Sequence, residues 1–279
     1  MQTPQPLGDI VVPRQDGHGP VSPARETSEA EPRKGIYVWE LPVRITHWVN
    51  VITIGILTVT GIYIASPFIV TNGEATNQYL MGSMRFTHFV AAFVFTVSVL
   101  FRIYWAFIGN KYANWKQFIP TKPARRRGIG RMLAFYLFLR RDPPAVVGHN
   151  PLAGMAYTVV LILFVLQIIT GFALYSLSFD AGTFWPTTFG WVIVIFGGQV
   201  IRLIHDIIMW LILAFTVHHV YTALLIDTEE RSGLVSSIIT GFKSLTRHQL
   251  EAAQAEEVPN PRRRPFWTRS SRKIGQDDA

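Results

Sequence analysis

The sequence predicts an all-α membrane protein, a four-transmembrane-helix bundle with candidate ligands on helices 1, 2 and 4 and a short outer interfacial helix. Three observations carry this expectation. Four apolar runs are long enough to cross a bilayer, Lys and Arg are spread very unevenly between them, and four histidines fall inside the runs at matched depths.

Of the 279 residues, 49% are apolar and 16% charged, and the mean hydropathy is +0.25. Long uninterrupted apolar segments therefore decide the class before any soluble fold is considered. Ile45–Ala65, Phe86–Ile108, Leu152–Ser176 and Val200–Ile226 each supply the roughly 20 helical residues that a hydrocarbon core requires. A fifth stretch, Phe189–Gly198, is too short to span and is expected along the membrane surface between helices three and four. Residues 1–34 are rich in Pro, Gly and charge without an apolar h-region, so they read as a flexible tail and not a signal peptide. The segment after Arg247, with its Arg262–Arg264 cluster, has the same character. The expected organisation is a cytoplasmic tail over 1–35, a transmembrane domain over 36–246 and a second cytoplasmic tail over 247–279.

Orientation follows from the basic residues. Five precede the first span (Arg14, Arg25, Arg33, Lys34, Arg44), nine lie between spans two and three, from Lys111 through Arg125–Arg127 to Arg141, and nine follow span four. The other two connections hold only Arg85 and Arg202, each near a helix start. Both termini and the middle loop are thus expected in the cytoplasm. The net charge of +8 reflects this topology and an anionic lipid leaflet, so no nucleic-acid partner is needed to explain it.

His47 and His88 stand at the beginnings of helices one and two, and His205 and His219 near opposite ends of helix four. Because successive helices alternate in direction, His47 and His219 come to one inner level and His88 and His205 to one outer level. His205 and His219 are 14 residues apart, which places them within roughly 40° of one helix face and about 21 Å apart along the axis. His218, by the same count, points roughly 140° away from His205. Polar residues at such depth are costly and mark function, although each could also hydrogen-bond between helices.

Two neutral imidazoles from facing helices suit low-spin haem, because ligation at both axial positions closes the iron and leaves electron transfer as its chemistry. The expectation is two haem b groups, with His47, His88, His205 and His219 as the iron ligands. The absence of cysteine excludes thioether-attached haem, thiolate zinc and cysteine-held iron–sulfur clusters. Metal transport fits less well, since this reading places no Asp or Glu with the histidines. Three ligands follow an arginine by three residues, Arg44 before His47, Arg85 before His88 and Arg202 before His205. Each arginine shares its histidine's face and lies nearer the interface, where a guanidinium can pair with a propionate or snorkel to headgroups. Arg102, 14 residues after His88, reaches the inner level on the same face. Gly61 and Gly171, each preceded by threonine, face the outer level, where they offer room for a macrocycle or for plain helix packing.

Several motifs stand together: Pro42-Val43-Arg44-Ile45-Thr46-His47-Trp48, Gly73-Glu74-Ala75-Thr76, Met81-Gly82 before Arg85 and His88, Arg102-Ile103-Tyr104-Trp105-Ala106-Phe107, Gly148-His149-Asn150-Pro151 and His219-Val220-Tyr221. From about Tyr37 to Lys243 the chain resembles the b-type cytochrome subunit of membrane-bound NiFe uptake hydrogenases. The resemblance implies a subunit that anchors a periplasmic hydrogenase, takes electrons from its iron–sulfur small subunit, itself paired with the large subunit, and delivers them to quinone. It further implies entry at the His88/His205 haem and exit at the His47/His219 haem. The membrane subunits of formate dehydrogenase are related, and by analogy with their quinone site His149 and Asn150 are quinone candidates, although Asn150 ahead of Pro151 also reads as a helix cap. The outer segments Ile69–Arg85, with Glu74, and Asp180–Gln199 would meet the hydrogenase. Without cysteine the chain holds no nickel–iron or iron–sulfur centre, so alone it is no catalyst of hydrogen chemistry. The rival readings are the same cytochrome serving a formate or thiosulfate enzyme, and a haem-free anchor or transporter.

Overall fold

The computed structural model describes residues 32–69, 79–119, 123–139, 147–148 and 151–251. Every described element falls in the unit that begins at Arg33. In order these are β1 (Arg33–Tyr37), α1 (Leu41–Ala65), α2 (Leu80–Ile108), a short 3-10 turn, α3 (Pro123–Tyr136), α4 (Pro151–Ser176), α5 (Phe184–Phe196), α6 (Gly198–Glu230), α7 (Leu234–Thr240) and β2 (Phe242–Thr246).

α1, α2, α4 and α6 are long and apolar enough to cross a membrane, and the chain is a multi-pass membrane protein. Their boundaries follow local chemistry. Pro42 sits in the first turn of α1, where its missing N–H costs nothing, and Pro67 follows the last turn. Gly197, at φ +81°, turns the chain between α5 and α6 in a conformation that favours glycine. The 13 residues of α5 make a helix of about 20 Å, short of the roughly 30 Å of a hydrocarbon core.

Large aliphatic side chains such as Val97 and Val217, each 67% exposed, face outward where lipid would cover them. The inward face of α1 is instead small and polar. Thr46, Thr53 and Thr60 are buried at seven-residue spacing, and each hydroxyl donates to the carbonyl four residues back, at 2.7–2.9 Å. Ser98 on α2 reaches Thr46 O across that interface at 3.4 Å. Small residues let α1 pack closely on α2, while α4 packs on α6 and α5, and the two pairs meet most closely at α2 and α4.

One end of the bundle carries a platform. β1 and β2 pair antiparallel, Arg33 opposite Thr246 and Tyr37 opposite Phe242. Trp39 donates its indole N–H to Ser237 Oγ at 2.9 Å, and the Glu40 carboxylate accepts from Trp105 at 3.0 Å and from the Asn110 N–H at 2.8 Å. Asp227 accepts the N–H groups of Leu234 and Val235 and so caps α7. Lys243, buried, pairs with Glu230 at 3.4 Å. α3 lays Met132 and Phe135 against Ile226 of α6.

The four spans match the sequence expectation. The strand pair, α3 and α7 are additions to it, and Arg33, Lys34 and Gly35, assigned to the tail, lie in β1. Apart from 32–35 and 247–251, both expected tails fall outside the described residues.

Candidate cofactor site

His47, in the second turn of α1, faces His219 of α6. Their ring centres are 6.4 Å apart with planes at 58°. Phe215, one turn before His219, stacks on its ring at 5.5 Å and 10°, and Tyr157 of α4 meets it edge-on at 5.6 Å. The Tyr157 hydroxyl stands 3.4 Å from His219 Nδ1. His218 is exposed on another face of α6, as its spacing predicts.

The other level is built from His88 of α2 and His205 of α6. Thr60 Oγ1 of α1 lies 2.9 Å from His88 Nδ1, and Thr170 Oγ1 of α4 lies 2.9 Å from His205 Nδ1. A Cβ on Gly61 would come 3.4 Å from His88 Cε1, and one on Gly171 would come 3.2 Å from His205 Cε1. Gly171 therefore admits an imidazole edge that another residue would crowd, while at Gly61 an added carbon would just reach contact with the ring. The side-chain amide of Gln167 donates to His205 Nε2 at 3.1 Å.

Residues 38–241 match the family model of prokaryotic cytochrome b561. The chain belongs to that family. It is 41% identical to the probable Ni/Fe-hydrogenase B-type cytochrome subunit of Cupriavidus necator over 76% of this chain and 88% of that protein. It is 40% identical to the protein of the same name from Rhodobacter capsulatus, over 78% and 85%, and 41% identical to the probable Ni/Fe-hydrogenase 1 B-type cytochrome subunit of Escherichia coli, over 75% and 90%. The resemblance carried by the motifs thus holds over most of the chain. This cytochrome is an electron-transfer protein of the haem b type.

The residues present fit that group. Among the described residues no three His, Asp or Glu side chains converge, so two facing imidazoles form a full coordination sphere only if the cofactor brings the other ligands, as a porphyrin does. A metal–imidazole bond is about 2 Å and the ring centre lies about 1 Å beyond the nitrogen, which sets two rings on one metal about 6 Å apart. His47 and His219 stand at 6.4 Å. Among the described residues, four buried side-chain polar atoms lack a partner: Arg44 Nε, His47 Nδ1, Asn50 Oδ1 and Gln167 Oε1. All four belong to the histidine pairs or to residues beside them, and the Arg44 Nε–H is one that a propionate edge would relieve.

The arginines are divided. Arg44 donates to the Ile239 carbonyl of α7, Arg202 donates to Gln199 Oε1 at 2.9 Å, and Arg85 is exposed. Arg102 stacks over the Phe118 ring at 5.2 Å. His149, Asn150 and Glu74 lie outside the described residues. One acid does stand inside a span, contrary to the sequence reading: Asp206, directly after His205 on α6. One residue on, it points about 100° away from that ring. Thr60, Thr170, Gln167 and Tyr157 were not singled out from sequence. The signal for the first two was the Thr-Gly dipeptide at 60–61 and 170–171, read there only for its glycine.

Proposed function

We propose that this chain is the membrane-anchoring di-haem b-type cytochrome that passes electrons from a periplasmic NiFe hydrogenase to the quinone pool, set in a bacterial inner membrane with both termini cytoplasmic. His88 and His205 would hold the outer haem, and His47 and His219 the inner one, with Arg44, Arg85 and Arg202 available to their propionates. Haem b supplies reversible one-electron oxidation and reduction. The chain contributes its depth and spacing: α6 presents a histidine at each level of one face, about 21 Å apart. His149 and Asn150, outside the described residues, are the quinone-binding candidates.

The observation that carries the reading is the facing of His47 and His219 at 6.4 Å, matched at the other level by two histidines whose rings are seated against Thr-Gly pairs. The partner rests on relatives whose names attach them to Ni/Fe hydrogenase. The orientation rests on the basic residues, which crowd the segments flanking the platform end.

The test is a pyridine haemochrome assay on the purified complex. About two b-haems per chain, with one lost in His88→Ala and a different one in His47→Ala, supports the scheme. Absence of haem from a folded wild-type chain, expressed where haem is inserted, overturns it. Recovery of the chain with a molybdopterin enzyme and no hydrogenase would reassign the partner.

A further inference from the structure

The two histidine pairs differ in what holds Nδ1. A threonine hydroxyl has a single proton. Thr60 gives its proton to Ile56 O at 2.7 Å, and Thr170 gives its proton to Leu166 O at 2.8 Å. Toward the imidazoles 2.9 Å away, each oxygen is then left only as an acceptor. On that assignment His88 and His205 carry their proton on Nδ1 and keep Nε2 bare: His205 donates to Thr170, and His88 to Thr60, with the Leu57 carbonyl as a further partner of the His88 ring. The Gln167 amide, donating to His205 Nε2, marks that bare lone pair.

At the other pair no such contact exists among the described residues. His47 Nδ1 is buried without a partner, and His219 Nδ1 has a phenol oxygen no closer than 3.4 Å. The Thr-Gly dipeptide thus acts as a socket used twice, once from α1 for His88 and once from α4 for His205. Its hydroxyl takes the Nδ1 proton, and its missing Cβ receives the Cε1 edge.

We propose that Thr60 and Thr170 are positioning residues that lock the tautomer of the outer ligands and hold the outer haem at a lower reduction potential than the inner one. The proposal rests on the bis-histidine reading of both pairs. An imidazole whose N–H is donated to an oxygen is the more basic ligand, and a more basic ligand favours the oxidised iron. Two such bonds act at the outer level and no short one acts at the inner. Electron flow from the outer level to the inner is thereby downhill.

Potentiometry on the holoprotein, following the haem absorbance, tests this in Thr60→Val, Thr170→Val, the double variant and the two Thr→Ser variants. The expected result is two haems in each, with the low-potential component moved upward by either Val change and further by both. The high-potential component stays in place, and Ser preserves the wild-type values. The proposal is overturned if the double Val variant keeps both potentials, lowers the first, or shifts both equally, or if Ser acts like Val. Should Val abolish outer haem binding, the Ser variants decide: two haems at wild-type potentials support the socket, and loss of haem there refutes it. His88→Ala separates the two levels of claim. Removal of the low-potential component agrees with both, and removal of the high-potential one overturns the proposal alone. Loss of neither component brings down the ligand assignment itself.

Discussion

At the α5 end of the bundle each histidine ring leans on a threonine of a neighbouring helix, whereas at the strand end one Nδ1 is unpartnered and the other has only a distant phenol. The strand end is instead secured from outside, by the platform of β1, β2 and α7 that closes over the starts and finishes of α1 and α6. The comparison separates two jobs that a haem pocket combines. On the bis-histidine reading proposed above, hydrogen bonds within the bundle would tune the electronics of a ligand, and structure at the helix ends would set how far apart two ligands stand.

The largest expected effect breaks both sites together. His205→Ala combined with His219→Ala should leave no haem, while each single change leaves one, by pyridine haemochrome stoichiometry. Filling the sockets should disturb only one level. Gly171→Val is expected to empty the outer site, and Gly171→Ala to lower its occupancy more than Gly61→Ala does, because the added carbon would meet the ring at 3.2 Å rather than 3.4 Å. Weakening the platform should do the reverse. Asp227→Ala removes the α7 cap and is expected to lower stability by about 1 kcal/mol, read as an earlier thermal loss of the haem band, with both potentials unchanged. The smallest effect sharpens the choice of ligand: His218→Ala should leave the reduced-minus-oxidised spectrum as it is, and loss of half the haem would transfer the inner ligand from His219 to His218.

Much of this was legible in the sequence for physical reasons. A span needs about 20 apolar residues, and few other folds demand them, so the four spans could be placed within a few residues of α1, α2, α4 and α6. The meeting of His47 with His219 followed from helix direction and a 3.6-residue period alone. What escaped depended on distant partners. The strand RKGIY has no alternation to announce it, and its mate lies at the far end of the chain. The helix around Met132 and Phe135 is masked by its arginines. Thr60 and Thr170 read as ordinary back-bonded threonines in apolar helices, since nothing local says that an imidazole from another helix will also claim the oxygen. Asp206 was passed over because a single acid does not interrupt a long apolar run.

The ribbon of β1 and β2 has a consequence in time. Its strands are roughly 200 residues apart, so at a synthesis rate of 5–20 residues per second β1 waits about 10–40 s for its partner. α6 is itself made only near the end of that interval, so for most of it His47 has no partner histidine across the bundle. A chain halted at Thr240 would carry every ligand and no clasp. Pairing of the strands thus comes only after the whole set of histidines has been made.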